Sequence, residues 1–539
     1  MNTPRRIEIY DTTLRDGTQG EGFSLSLDDK LAIAQKLDEL GVDYIEGGFP
    51  LSNPKDEAFF QEIRNIKFKT AKVAAFGMTR RRGVQAEEDP GMKALLDAQT
   101  PVVTLVGKSS EYQAKAVLAV SLEENLAMIA ESVKLMHQAG RQVVYDAEHF
   151  FDAYRANPTY ALKTLLAAQE AGASVLVLCD TNGGSMPEYI AEVVAAVRKQ
   201  TSVKLGVHMH NDAGVAVANG LAAINAGADH VQGTINGVGE RCGNMDLIAL
   251  AANLQLKYKL DCLQPGSLKH LTETSRFVYE TANVNLVPGQ PYVGTSAFAH
   301  KGGMHVHAVQ KDVSTYEHVA PELVGNTRKI LVSELSGVSN IATNAGKKFD
   351  LGDDKVILKK VLHKVQHLEN AGYQFEAADG SFELLVRREI GRYRDFFILD
   401  NYRVVVHKLD SKTPVAEATV KLHVNGNVEH TVAEGEGPVD ALDAALRRAL
   451  LHHLPAIAQV HLNDYKVRVI NSHDETSASV RVIVSSTRVN ADGKREIFGT
   501  IGVSQNIIDA SWQALVDAYV YHLTHVAEES EKQPMPAAS

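Results

Sequence analysis

Between Ile7 and Thr234 the chain repeats one pattern eight times: a short, almost continuously apolar run, then a longer segment with helical periodicity. The runs are Ile7–Tyr10, Tyr44–Glu46, Val73–Phe76, Val102–Val106, Val143–Tyr145, Val175–Leu178, Lys204–Val207 and Val231–Thr234. Amphipathic stretches such as Leu27–Leu40, Glu123–Ala139, Thr159–Ala171, Pro187–Lys199 and Ala213–Ala226 lie between them. Strands that are apolar along their whole length have both faces covered, the condition of a parallel sheet wrapped by helices. Gly41, Gly140, Gly172 and Gly227 follow the last turn of four of these helices, where a left-handed cap is expected. Eight such units ending near residue 258 predict a (β/α)8 TIM barrel of ordinary size. A doubly wound sheet is the second choice, and no G-x-G-x-x-G after the first run supports it.

The rhythm then changes twice. Residues 271–380 carry Gly-, His- and Asn-rich loops and helical pieces such as Lys355–Leu368, which predicts small helical linker subdomains. Residues 381–528 mix strand-like runs (Arg403–His407, Glu417–Val424, Lys466–Ile470, Ala478–Ser485) with helices (Val439–His452, Ile507–Leu523), which predicts a separate α+β domain. The polar, proline-containing tail 529–539 reads as disordered.

Bulk properties remove several functions. The 539 residues carry a net charge of −11, and the richest basic cluster is only Arg80-Arg81-Arg82, which argues against nucleic acid as a partner. Three cysteines without CxxC spacing favour neither a disulfide framework nor a cysteine zinc site. The start, Met1 to Asp11, lacks the apolar stretch of a signal peptide, and no apolar run approaches ~18 residues. The expectation is a cytoplasmic protein with no membrane partner.

The sharpest chemical signal is His208-Met209-His210-Asn211-Asp212, directly after the seventh run. Residues i and i+2 on a strand point the same way, roughly 6.5–7 Å apart, so two imidazoles can meet one ion. In barrel enzymes catalysis sits at that carboxyl end. A lone H-x-H is as often an ordinary polar strand end; its position tips this one toward a metal. The first run ends in Asp11-Thr12-Thr13-Leu14-Arg15-Asp16-Gly17, which offers Asp16 as a third ligand and Arg15 as a permanent charge for a carboxylate or enolate oxygen. A plain surface Arg–Asp pair is the alternative that spacing alone leaves open. After the eighth run, Gly233 to Asn244 (GTINGVGERCGN) places glycines where backbone can approach a ligand, and Asn244 can give a carbonyl oxygen. Asp16, His208, His210 and Asn244 together make a mixed nitrogen and oxygen set suited to Mg²⁺, Mn²⁺ or Zn²⁺, without choosing among them.

These three motifs, DTTLRDG at Asp11–Gly17, HMHND at His208–Asp212 and GTINGVGERCGN at Gly233–Asn244, resemble the alpha-isopropylmalate, homocitrate and citramalate synthase family. The resemblance extends over nearly the whole chain, since residues from about 385 resemble that family's regulatory dimer domain, with Gly437-Pro438-Val439-Asp440-Ala441 before a helix. It implies that Asp16, His208, His210 and Asn244 bind a divalent metal and that Arg15 polarises the acceptor carbonyl. It also implies that Glu148 is a catalytic acidic residue, that Gln19 and Thr181 contact substrate, and that His305 reaches an active site, commonly that of the other subunit. His300 and His307 are expected to be bystanders.

Within the family, Gly17–Gly22 (GTQGEG), Glu46–Pro50 (EGGFP) with Asn53–Asp56, and Glu148–Asp152 (EHFFD) are similar to the citramalate branch, which joins acetyl-CoA to pyruvate. The isopropylmalate branch, with 2-oxoisovalerate as acceptor, is the alternative. One or two methylenes discriminate by only about 1–3 kcal/mol, so pocket residues decide. The base that deprotonates the acetyl methyl is left open between Glu148 and a group coupled to His305. The resemblance further implies a homodimer and an amino-acid effector, isoleucine for the citramalate branch, with Gly435-Glu436-Gly437 as a place where backbone could meet it. A barrel acyl-CoA lyase and a non-catalytic amino-acid sensor are the rivals from other classes.

Overall fold

The structure is a computed structural model that describes residues 5–333, 336–346, 348–349, 351, 354–408, 414–470, 478–490 and 493–532. The chain forms two compact units, one running to Phe298 and including His318–Arg328, the other made of Ala299–Glu317 and the residues from Lys329 onward.

The first unit is a closed parallel barrel. Its strands are β1 (Glu8–Asp11), β2 (Tyr44–Gly48), β3 (Lys72–Met78), β4 (Val102–Lys108), β5 (Gln142–Glu148), β6 (Val175–Asp180), β7 (Lys204–Met209) and β8 (His230–Gly233), and β8 pairs back onto β1. The expected TIM barrel is therefore what the chain forms. Two apolar layers explain the unbroken runs. Tyr10, Tyr44, Ala74, Val102, Val144, Val175 and Val177 pack inside the barrel, while the alternate residues, such as Ile9, Ile45, Val143, Leu176 and Val231, pack outward against helices. The helix Leu27–Leu40 shows how local chemistry sets the ends: Ser26 and Asp29 form a capping box, and Gly41 closes it at φ 89°. Most of the strands run further than their apolar stretches at the carboxyl end. β5 reaches Glu148, β6 reaches Asp180 and β7 takes in His208. Polar residues continue the ladder there because the barrel mouth, unlike its waist, faces a cavity.

The second unit opens with a short parallel pair, β9 (Ala299–His300) and β10 (Lys329–Ile330). Helices Gly303–Lys311, Lys355–Asn370 and Asp379–Glu389 follow. Then come two similar modules. Antiparallel strands β11 (Phe397–His407), β12 (Val415–Val424) and β13 (Asn427–Gly435) carry the helix Pro438–Leu450. Strands β14 (His461–Val469), β15 (Val480–Val489) and β16 (Arg495–Ser504) carry the helix Ile507–Lys532. That last helix runs to Lys532, into the segment expected to be disordered; residues 533–539 lie outside the described ones. Among the described residues no helix is long and apolar enough to cross a membrane.

Candidate active site

The carboxyl ends of the strands enclose a cavity of about 380 Å³. Arg15, Asp16, Gln19, Glu148, Thr181, His208 and His210 all line it. β7 supplies both imidazoles. His208 is its penultimate residue, and His210, one step beyond the strand, is held by a lone antiparallel bridge to Asn244. Ligand atoms of Asp16, His208 and His210 all lie within 4.8 Å of one another, and all three residues are buried. His208 Nε2 stands 3.1 Å from Asp16 Oδ2 and 3.3 Å from His210 Nε2.

The surroundings show which lone pairs are free. Gln232, beside His208 in the β7–β8 register, donates its Nε2–H to Asp146 Oδ1 at 2.9 Å. Its Oε1 then accepts from His208 Nδ1 at 2.9 Å, which puts a ring proton on Nδ1 and turns Nε2 toward Asp16 and His210. Asn244 uses its Nδ2 toward Val238 O, and its buried Oδ1 has no hydrogen-bond partner among the described residues. A buried amide oxygen without a donor is costly unless something completes it. The glycine loop makes this placement possible: Gly243 sits at φ 88°, and a Cβ there would stand 2.0 Å from Gly237 O. Two imidazole nitrogens, a carboxylate and an unsatisfied amide oxygen fit a divalent cation with oxygen-tolerant preferences.

Electrostatics agree with that grouping. Burial by itself would raise the Asp16 carboxyl, but Arg15 and the two histidines outweigh it and hold it well below the usual carboxylate range. Burial and the neighbouring His208 push His210 down to about 4, so its ring is neutral at neutral pH. Burial, with Glu46 nearby, pushes Asp146 up to about 7.

Arg15 is fixed rather than free. Its Nε donates to Glu46 Oε2 at 2.6 Å, its guanidinium lies 4.0 Å over the Phe76 ring, and Glu46 is itself bound by Tyr10 at 2.9 Å. At the opposite wall Glu148, the last residue of β5, pairs with Lys108, the last residue of β4. Thr181 Oγ accepts the His149 N–H at 2.9 Å, so its own proton is available to a ligand. Glu46, Lys108, Asp146 and Gln232 were not read from the sequence. Asp146 and Glu148 share one face of β5 by the period-two rule, which is the signal that could have found the first of them.

His305 belongs to the second unit, in the first turn of Gly303–Lys311, exposed and stacked on Tyr316 at 4.1 Å between ring centroids. His300 is buried there against Glu317 at 3.0 Å, and His307 is exposed. At Gly435–Gly437 the Glu436 N–H is already taken by Asp440 Oδ2 at 3.0 Å.

A closed barrel with two imidazoles and a carboxylate at its carboxyl rim defines a metal-binding barrel enzyme, and residues 6–278 match the HMGL-like family. Residues 292–372 match the homocitrate synthase post-HMGL domain-like family, and residues 376–523 match the LeuA allosteric (dimerisation) domain. The chain is similar to (R)-citramalate synthase of Aquifex aeolicus, at 51% identity over 97% of this chain and 99% of that one. It is similar also to that of Geobacter sulfurreducens, at 49% identity over the same shares. A probable 2-isopropylmalate synthase of Archaeoglobus fulgidus is 32% identical over 96% of this chain and 97% of that one. The chain belongs to the (R)-citramalate synthase family.

Proposed function

We propose that this enzyme is an acetyl-CoA-dependent acyltransferase that condenses the acetyl group with pyruvate and hydrolyses the thioester, giving (R)-citramalate and CoA. The observation that carries the reading is the convergence of Asp16, His208 and His210 in the cavity at the barrel rim, with Asn244, whose buried oxygen is unsatisfied, bridged to His210. Its support as to substrate is full-length identity near one half to relatives named for that product, against 32% to one named for isopropylmalate.

Asp16, His208, His210 and Asn244 would hold a divalent metal, with Mg²⁺, Mn²⁺ and Zn²⁺ all suited to the set. Such an ion, when bound, supplies Lewis-acid polarisation of the 2-oxo carbonyl. The chain's own residues do the rest. Arg15, immobilised by Glu46 and Phe76, presents fixed charge to the oxygen on which the alkoxide develops. Thr181 offers its hydroxyl proton to the substrate carboxylate, and Gln19 closes the same wall. Glu148 takes a proton from the acetyl methyl, and the new carbon–carbon bond forms at the keto carbon. The resulting alkoxide takes up a proton, for which His305 is the acid we assign. Water then cleaves the thioester, releasing CoA as its thiol and leaving a second carboxylate.

The regulatory module, matched to an allosteric and dimerisation domain, would make the enzyme a homodimer inhibited by isoleucine. A CoA-release assay offering pyruvate, 2-oxoisovalerate and 2-oxoglutarate in turn tests the reading. Strong preference for pyruvate is expected; preference for 2-oxoisovalerate would make this an isopropylmalate synthase with the same site.

A further inference from the structure

Two oxygens gain charge in a condensation of this kind: the keto oxygen of the acceptor, which Arg15 serves, and the thioester oxygen, as the acetyl methyl loses its proton. Lys108 is placed for the second. It is the last residue of β4, as Glu148 is of β5, and the two are partners in the parallel register. Side chains two apart on a strand share a face, and Val106, Lys108, Asp146 and Glu148 all line the cavity. The strand end is anchored: the Lys108 carbonyl accepts from Asn125 Nδ2 at 2.8 Å, and that buried amide also donates to Tyr160 Oη at 2.9 Å.

Both ends of the Lys108–Glu148 pair have capacity to spare. Glu148 Oε2 holds the Lys108 ammonium, while Glu148 Oε1 meets only His149 Nε2, at 4.0 Å, among the described residues. The ammonium has three hydrogens and Glu148 uses one; among the described residues no other acceptor takes the remaining two. Both side chains are largely withdrawn from solvent, at 13% exposure for Lys108 and 24% for Glu148, where a charged donor is worth more than in open water. The methyl proton and the carbonyl oxygen of one acetyl group lie on neighbouring carbons, so the base and the donor that act on them must stand side by side, as these two do. Arg15, the other permanent cation on the cavity wall, is committed to Glu46 and the Phe76 face.

We propose that Lys108 is a further catalytic residue, which donates to the thioester oxygen of acetyl-CoA; the assignment rests on Glu148 being the base. Glu148 Oε1 takes the methyl proton, the C–H electron pair becomes the carbon–carbon double bond of the enolate, and the carbonyl π pair moves onto the oxygen that Lys108 holds. Attack on the keto carbon returns that pair and restores the thioester carbonyl, with Lys108 still an ammonium. Hydrolysis uses the same contact again: water adds to the thioester carbon, the oxygen gains charge a second time, and collapse breaks the carbon–sulfur bond. One proton of the water ends on the CoA sulfur and the other is lost from the new carboxyl.

The metal-loaded, full-length enzyme is compared with Lys108→Met and Lys108→Arg in the CoA-release assay. Lys108→Met should lose about 10²–10³-fold in kcat, the usual cost of one oxyanion donor, with the KM for pyruvate and the divalent-metal affinity within about threefold of the unaltered values. Lys108→Arg keeps a charged donor and should recover at least roughly tenfold of that loss. A residue that only holds Glu148 in place would cost the same whichever atom the thioester carries. Single turnovers are therefore also run with the dithioester analogue of acetyl-CoA, sulfur replacing the carbonyl oxygen, and residual pyruvate is measured. Sulfur is a poor acceptor and the dithioester methyl is the more acidic, so there the Lys108→Met penalty should shrink to roughly tenfold or less. Near-normal kcat in Lys108→Met, no recovery in Lys108→Arg, or an equal penalty on both thioesters overturns the assignment. Glu148→Gln tells the two readings apart. A crippled Glu148→Gln beside a near-normal Lys108→Met sinks Lys108 alone, whereas near-normal turnover in Glu148→Gln sinks the base and this assignment with it.

Discussion

Both units bury charge, and they do so in opposite ways. At the barrel rim, Asp16, His208 and His210 are buried with ligand atoms turned toward one another, and nearby His210 Nδ1 and Asn244 Oδ1 find no partner among the described residues. In the second unit, Glu383 is equally buried, yet its Oε1 receives Arg387 Nε and NH2 at 2.9 and 2.7 Å and stands 3.0 Å from His525, while Oε2 pairs with Lys348. Arg387 goes on to Glu528 at 2.6 Å. Lone pairs that face lone pairs ask for a cation from outside, whereas lone pairs that face cations already have theirs. The first arrangement sacrifices stability for a site; the second holds helices together.

That contrast predicts that damage at the rim is read in activity and damage at Glu383 in stability. The largest effect is expected from replacing both imidazoles. The double variant His208→Ala, His210→Ala should lose acyl transfer by more than ~10⁴-fold and lose its divalent-metal binding in calorimetry, while thermal unfolding barely moves. A Tm fall as large as that of a core truncation would break the comparison, for it would make the rim a structural cluster too. Glu148→Gln comes next. Loss of a general base costs about 10²–10⁴-fold in kcat with metal affinity intact, and near-normal turnover would remove Glu148 from the proton transfer. A smaller loss is expected for Gln232→Ala, because it removes the group that links His208 to Asp146 and leaves the ligands themselves in place. Metal affinity should weaken about 10- to 100-fold, measured by competition with a chelating dye.

How much of this the sequence discloses depends on what each residue must do. All eight barrel strands are visible as mainly apolar runs, because a strand covered on both faces has few polar positions to interrupt it. Their carboxyl ends are not visible, since Glu148, Asp180 and His208 continue a strand while looking like loop. His208 and His210 announce themselves by spacing, and Asp16 by its motif. Gln232, Glu46 and Lys108 are single polar residues whose partners, His208, Arg15 and Glu148, lie far off in sequence, so only the closed barrel brings them into register. In the second unit, β13 and β16 escaped notice for another reason. NVEHTVAEG is mostly exposed, and Gly499 and Gly502 interrupt the apolar pattern of β16.

The smallest effect concerns Glu383, and it sharpens the comparison from the structural side. Burial alone would raise this carboxyl, but His525 and Lys348 outweigh it and hold it at about 2, below its ordinary 4.5. A carboxylate whose folded value is depressed adds stability that is fully present above the unfolded value and disappears as pH falls toward the folded one. The window is therefore about pH 4.5 down to about 2, and the contribution is on the order of 3 kcal/mol. Glu383→Gln should lower the Tm of the unfolding transition of this domain at neutral pH and flatten its fall across that window, because the variant has no proton to take up there. Citramalate formation at saturating substrate should remain near the unaltered rate at 25 °C, since no group at the barrel rim depends on this cluster. A variant that unfolds with the original pH profile would mean that Arg387, Lys348 and His525 are held by something other than this carboxylate, and the distinction between satisfied and waiting charge would lose its structural half.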